Sequence, residues 1–325
     1  MILITGGTGF LGRHIVEQVL ASGKPVRLLL RNPGKLAAHL HGKVEVVQGD
    51  LQDLASVEAA VEGVSKVIHA AAQVSFRKKD REEVLNNNVK GTTHLVNACL
   101  EAEVVRLVHV SSIATNGRAP KGELITEKTA RQPGQEASTY AKSKIKSEIE
   151  VFRGASEGLE VVVVNPGLII GPADNWTSGT PQIFQAVAGG LPFYQAGSNG
   201  LVGAADVARA CRMLLDAEGV SEERYILVAE NWTYLEFLTE IARNLNVKPP
   251  FIRAPRGLMF IAGWLSELIA DLSGKEGGLS TETVRGGSGH FTYDGSKINA
   301  LGFHYTPIKE VIAETATAFL KSRSA

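Results

Sequence analysis

Short apolar runs alternate along this chain with longer stretches in which apolar residues recur every three to four positions. Residues 2–5 form an apolar run, and 14–20 carry apolar positions at helical spacing. Further short runs lie at 25–30, 44–47, 66–69, 105–110 and 159–164, whereas 82–102 and the run that begins at Tyr140 have helical periodicity and no proline. Strand and helix in alternation predict an α/β fold built on a doubly wound parallel sheet, because parallel neighbours need a crossover to connect them. Residues 113–137 interrupt the alternation as a long polar loop containing Gly117, Pro120, Gly122, Pro133 and Gly134. Beyond residue 170 the pattern weakens. It predicts a helix with loops over 174–194, a helix over 205–215, a late strand over 225–228, and helices over 232–244, 256–272 and 280–284. No internal repeat, low-complexity tract or flexible linker occurs.

Composition narrows the function more than the fold. Apolar residues are 44% and charged residues 21% of the 325, enough to bury one large core or two joined ones. Lys plus Arg equals Asp plus Glu at 34 each, so nothing in the charge balance favours nucleic acid or an anionic membrane, and a small-molecule substrate is the expected partner. Cys99 and Cys211 both sit in apolar, helix-like contexts; a disulfide framework is not expected, and a reducing, cytoplasmic setting fits. The opening run leads straight into glycines without a basic segment or a cleavage site, which reads as a strand and not as a signal peptide. Residues 258–272 are apolar but contain Glu267 and Asp271 and fall short of the roughly 20 residues a spanning helix needs, so no integral membrane segment is expected. A homodimer is left open.

Candidate chemistry enters at the strand ends. Gly6, Gly9 and Gly12, with Thr8, Phe10 and Leu11 between them, stand between the first strand and the first helix, where backbone N–H groups and the helix dipole suit a pyrophosphate. The second strand ends at Arg31, where an acidic residue would bind ribose hydroxyls and an arginine suits a 2′-phosphate; NADP(H) is therefore expected over NAD(H). Asp50 and Leu51 follow the third strand, within reach of an adenine. Ala70, Ala71 and Ala72 follow the fourth and leave room for a ligand or for close helix packing. Ser112 follows the fifth strand, where a hydroxyl suits a substrate oxygen as well as a helix cap. Tyr140 and Lys144 are four apart on one helical face, and a fixed ammonium there favours the phenolate; the same spacing also suits a packed aromatic beside a solvated lysine. His69 reads as a core or supporting residue, and no histidine or cysteine spacing suggests a metal.

Taken in order, Gly6-x-x-Gly9-x-x-Gly12, Asp50-Leu51, Ala70-Ala71-Ala72, Asn88-Val89-x-Gly91-Thr92, Ser111-Ser112, Tyr140-x-x-x-Lys144, Asn165-Pro166-Gly167 and Ala205-Asp206-Val207 resemble the extended short-chain dehydrogenase/reductase family over nearly the whole chain. The resemblance implies a Rossmann-type dinucleotide-binding domain over 1–170, with returning segments at about 201–230 and 291–305, and a smaller, mostly helical substrate-binding region over 171–200 and 231–290. It implies an NAD(P)-dependent oxidoreductase of the ketoreductase or alcohol dehydrogenase type. In such an enzyme Tyr140 is the general acid/base, Lys144 lowers its pKa and binds the nicotinamide ribose, and Ser112 polarises the substrate carbonyl. Pro166, Gly167 and Leu168 would lie beside the carboxamide, with Asn88 supporting the site. Ile113 and Ala114 stand where sugar-nucleotide dehydratases carry acidic residues, and Arg31 and Asn165 depart from the epimerase pattern. The branch most resembled is dihydroflavonol reductase-like and 3β-hydroxysteroid dehydrogenase-like proteins, which act on bulky, largely apolar carbonyl or hydroxyl compounds. The pair Ala204-Ala205 before Asp206 departs from that branch's usual valine-aspartate. The alternatives are an NAD-dependent NDP-sugar epimerase and, in another class, an NADPH-binding protein without turnover.

Overall fold

The computed structural model describes residues 1–75, 80–120, 122–135, 137–255, 257 and 289–324. Seven strands form one parallel sheet: β1 (Ile2–Thr5), β2 (Val26–Leu30), β3 (Glu45–Gln48), β4 (Lys66–His69), β5 (Arg106–Val110), β6 (Glu160–Pro166) and, late in the chain, β10 (Glu223–Leu227). Their spatial order is β3-β2-β1-β4-β5-β6-β10. The chain thus runs outward from β1 to one edge, returns to the other side of β1, and runs outward again. That reversal puts the crevice for a ligand at the carboxyl ends of β1 and β4. The expected doubly wound, Rossmann-type sheet is what forms.

The strand sequences explain why both faces are covered. Val161, Val162, Val163 and Val164 are each 0% exposed, so β6 must be buried on both sides and cannot show the polar alternation of a one-sided sheet. Odd and even positions serve different layers. Ile4, Leu28, Ile68, Val108 and Val162 pack with α1 (Phe10–Ala21) and α6 (Ala204–Leu214). Leu3, Leu29, Val67, Leu107 and Val163 pack on the opposite face with α2 (Leu54–Val61), α3 (Arg81–Glu101) and α4 (Thr139–Ser156).

The remaining elements build a second cluster beside the sheet. β7 (Leu168–Ile170) and β11 (Glu230–Thr233) flank β9 (Ser198–Gly203), while β8 (Phe193–Tyr194) pairs with β12 (Ile252–Arg253). Trp176, Phe184, Phe237, Ile241, Ile312 and Phe319 form the core between α5 (Gln182–Ala188), α7 (Tyr234–Asn244) and α8 (Ile308–Ser324). A reciprocal cap starts α7, with Thr233 accepting from the Glu236 backbone and Glu236 accepting from that of Thr233.

The pattern expected over 174–194 resolves into only α5 and β8, because Pro181 and the glycines at 189 and 190 bound the helix on both sides. β7, β9, β11 and α8 add to the elements read from periodicity. The helices expected at 256–272 and 280–284 lie outside the described residues, Gly257 apart. No described helix is long and apolar enough to cross a membrane.

Candidate active site

The turn between β1 and α1 is shaped by two glycines. Gly6 has φ +76°, and a Cβ there would stand 2.7 Å from the Ala71 backbone nitrogen, so only glycine lets β1 and the segment after β4 approach this closely. At Gly12 a Cβ would lie 1.9 Å from the Gly6 carbonyl oxygen, which forces glycine where α1 crosses the turn. Helix α1 begins after Gly9 with neither a side-chain cap nor an acidic residue in its first turn. Its N–H groups and the positive end of its dipole therefore suit an anion held against Gly6, Thr8, Gly9, Phe10, Leu11 and Gly12. These residues fit a dinucleotide's pyrophosphate.

Several flanking residues are already engaged by other parts of the chain. Arg31 follows β2, is exposed, and its guanidinium makes no ion pair or hydrogen bond with a described residue. Arg13, a second candidate for a phosphate, is committed elsewhere: it donates to the Pro172 carbonyl at 3.0 Å and pairs with Asp174. His14 reaches the same carbonyl, so the start of α1 is pinned to the loop after β7. Asp50 accepts from the Gln52 backbone at 3.0 Å and thereby fixes the turn that presents Leu51, whose carbonyl meets His94 Nδ1 at 2.8 Å. Ala70, Ala71 and Ala72 run on from β4, and Asn88 holds the next residue, accepting from Gln73 N at 2.7 Å and donating to its carbonyl at 2.9 Å. Asn88 also donates to Ser143 Oγ at 3.0 Å, which ties this segment to α4.

Ser112, Tyr140 and Lys144 come together at the carboxyl end of β5. Ser112 follows that strand and caps a single turn, Ile113–Thr115. Ser138 caps α4 by accepting from the Ala141 backbone, which starts the helix so that Tyr140 lies in its first turn and Lys144 in its second. The Ser112 hydroxyl stands near enough to that of Tyr140 to favour its ionised form. Lys144 is 3% exposed and donates to the Val110 carbonyl at 2.7 Å.

The titration of both groups is set first by burial. Burial pushes the Tyr140 hydroxyl above its ordinary value, and the group that opposes it is the Ser112 hydroxyl. Burial also brings the Lys144 ammonium down to about 8, with Glu148, one turn further along α4, pulling it back up.

Beneath these groups the sheet carries two histidines side by side. His69 on β4 meets Thr5 Oγ1 at 2.7 Å and Thr92 Oγ1 at 3.1 Å, and burial with Lys144 nearby holds it down at about 3. His109 pairs with it in register on β5 and is held well below its usual value by burial, then by Lys144 and His69; neither of its ring nitrogens has a hydrogen-bond partner among the described residues. Both are core groups, as read for His69 from the sequence. Among the described residues no cluster could hold a metal ion.

Pro166 ends β6, and Gly167 joins it to Leu168 at the start of β7. A Cβ on Gly167 would lie 2.3 Å from the Gly200 carbonyl oxygen, so this junction is packed directly on β9. Periodicity did not point to Glu148, Ser111, Asn165 or Arg224 as a connected set. Glu148 could have been found as the next residue of the Tyr140 and Lys144 helical face, whereas Arg224 on β10 carries no local signal.

Similarity to known proteins agrees with this geometry. A sterol demethylase protein B of Methylococcus capsulatus is 34% identical over 258 residues, covering 79% of this chain and 78% of that protein. The 3beta-hydroxysteroid-dehydrogenase/decarboxylase isoform 1 of Arabidopsis thaliana is 27% identical over 98% of this chain and 79% of its own. The crystal structure of Thermus thermophilus UDP-glucose 4-epimerase in complex with NAD superposes with a TM-score of 0.75 at 26% identity, covering 98% of both chains. Residues 2–227, from β1 through β10, match the NAD dependent epimerase/dehydratase family. With the glycine turn at the β1/β4 crevice and Ser112, Tyr140 and Lys144 gathered beside it, the chain belongs to that family and is an NAD(P)-dependent oxidoreductase of the extended short-chain dehydrogenase/reductase type.

Proposed function

We propose that the protein transfers a hydride between NADPH and a carbonyl or secondary alcohol of a bulky, largely apolar substrate. The observation that carries this reading is the gathering of Ser112, Tyr140 and Lys144 at the carboxyl end of β5, with Tyr140 and Lys144 one turn apart on α4 and Lys144 held on the Val110 carbonyl. When bound, the nicotinamide cofactor supplies or accepts the hydride. Gly6, Thr8, Gly9, Phe10, Leu11 and Gly12 hold its pyrophosphate, Arg31 the 2′-phosphate, Asp50 and Leu51 the adenine side, and Ala70, Ala71 and Ala72 the face after β4. Tyr140 and Lys144 hold the nicotinamide ribose, and Pro166, Gly167 and Leu168 the carboxamide.

The protein's own work is on the oxygen. The Ser112 hydroxyl positions and polarises the substrate oxygen, and Tyr140 gives a proton to it or takes one from it. Residues 1–170, with 201–230 and 291–305, form the dinucleotide-binding part, and 171–200 with 231–290 the substrate-binding part. The sterol and steroid in the names of two relatives support a bulky substrate. Arg31, exposed and without an acidic partner among the described residues, supports NADPH.

A second reading, an NAD-dependent NDP-sugar epimerase, is favoured by the similarity to a UDP-glucose 4-epimerase bound to NAD. One titration separates the two. Purified protein is titrated with NADPH and NADH while nicotinamide fluorescence is followed, and ketones of steroid and flavonoid type are then screened for NADPH oxidation. Tighter NADPH binding and ketone-dependent oxidation are expected. Retained NAD, no preference for NADPH and binding of a uridine diphosphate sugar would replace this reading with the epimerase.

A further inference from the structure

One carboxylate ties together the sheet end that carries the candidate site. Glu148 lies on α4 one turn beyond Lys144 and is 2% exposed. Its Oε1 accepts from Ser111 Oγ at 2.5 Å and from Asn165 Nδ2 at 2.8 Å, and its Oε2 pairs with Arg224 at 3.0 Å. Ser111 follows β5, Asn165 is the last residue but one of β6 and Arg224 is on β10, so three neighbouring strands converge on this one side chain. Asn165 passes the constraint on, donating also to the Ser112 carbonyl at 3.2 Å and to Thr115 Oγ1 at 2.9 Å.

A carboxylate taken this far out of water is costly unless its lone pairs are met, and apolar side chains could join the same strands without that cost. A charge kept here has an electrostatic use. Along α4, Tyr140 and Glu148 flank Lys144 at one-turn spacing, and His69 from β4 and His109 from β5 feel its charge. Both histidines stay neutral and Tyr140 stays protonated near neutral pH, which leaves Glu148 as the counter-charge among these groups. We propose that Glu148 is a positioning residue: it holds Ser112 in place through Ser111 and Asn165 and balances the ammonium of Lys144. For the roles of Ser112 and Lys144 the proposal rests on the oxidoreductase reading above.

A four-variant cycle tests the charge coupling without any substrate. Thermal midpoints are measured for wild type, Glu148→Gln, Lys144→Met and the double variant at pH 7 and at pH 10.5. The amide keeps an acceptor for Ser111 and Asn165 and removes only the charge. Non-additivity of about 3 °C at pH 7, shrinking at pH 10.5 as Lys144 loses its proton, is expected. Additive midpoints at both pH values would overturn the proposal. If Glu148→Gln does not fold, the cycle is run with Arg224→Gln, whose side chain is 39% exposed on the wall of a cavity of about 330 Å³; its coupling to Lys144 is expected with the opposite sign. With a ketone from the screen in hand, kcat/KM of Glu148→Gln should fall roughly tenfold to a hundredfold and its alkaline limb should move to lower pH. An unmoved limb contradicts the counter-charge role. If wild type reduces no carbonyl, the oxidoreductase reading fails, and the thermal cycle still decides for or against Glu148.

Discussion

Lys144→Met makes the burial of Lys144 measurable as stability. The native ammonium sits at about 8, against 10.5 for the free side chain, because burial penalises the charge more than Glu148 rewards it. Between those values the unfolded chain holds a proton at residue 144 that the native chain does not, so the wild type gains stability as pH rises through this window. Below about 8 both states hold the proton and the full penalty stands, about 3 kcal/mol at 1.36 kcal/mol per pH unit. Methionine removes that penalty and fills a similar volume, but leaves the Val110 carbonyl without its donor, a loss of about 1 kcal/mol. Lys144→Met should therefore be about 2 kcal/mol more stable than wild type at pH 7 and about 1 kcal/mol less stable at pH 10.5. The buried Cys99 and Cys211 thiols, both pushed up to about 12, act in the opposite direction and cost stability as pH rises, but they are common to both proteins and cancel in the difference. Paired thermal or urea unfolding every half unit from pH 7 to 10.5 reads the difference, and the curves should cross. A difference that is flat with pH would show that Lys144 is not a desolvated ammonium.

Other perturbations probe separate parts of the account. Arg31→Asp should weaken NADPH roughly tenfold to a hundredfold while leaving NADH nearly unchanged, from the loss of a charge-assisted contact worth about 1.5–3 kcal/mol; an unchanged ratio of dissociation constants would remove Arg31 from phosphate recognition. Gly12→Ala places a methyl 1.9 Å from the Gly6 carbonyl, so the turn must open, and nicotinamide fluorescence titration should show no saturable binding of either cofactor. Wild-type affinity in that variant would mean that the turn does not hold the pyrophosphate. His109→Leu replaces a fully buried ring whose nitrogens lack partners among the described residues with an apolar side chain of similar size, and should raise stability by about 1 kcal/mol at pH 7 in urea unfolding. A loss of stability would show that the ring is satisfied by water.

Local signals made most of the sheet and much of the candidate site legible. The glycines at 6, 9 and 12 are demanded by contacts inside one strand-turn-helix unit, so their spacing alone conveys the geometry. Tyr140 and Lys144 share a helix whose start is set by a capping serine two residues upstream of the tyrosine. The doubly covered sheet follows from continuous valine runs such as 161–164. β9 was harder, because Asn199, Gly200 and Gly203 give a poor strand propensity and its place is set by Gly167 packing on Gly200 from another strand. The closing helix α8 did carry a signal: Ile308, Val311, Ile312, Thr315, Ala316 and Phe319 follow helical spacing and are all buried. The Glu148 clamp is another matter, since Arg224 reaches Glu148 only through β10 lying against β6, a neighbour relation that no window of sequence contains. Nor does spacing reveal that burial raises the Tyr140 hydroxyl with Ser112 opposing it, because that depends on how α4 is packed at the end of β5.

The central claim is that the Tyr140 hydroxyl carries the proton in a hydride transfer. Its most direct test is Tyr140→Phe, assayed both for NADPH binding by nicotinamide fluorescence and for NADPH oxidation with a ketone that the wild type reduces. Binding within about twofold of wild type and turnover lower by roughly 10² to 10⁴ is the result the account predicts. Turnover within a few-fold of wild type would contradict it.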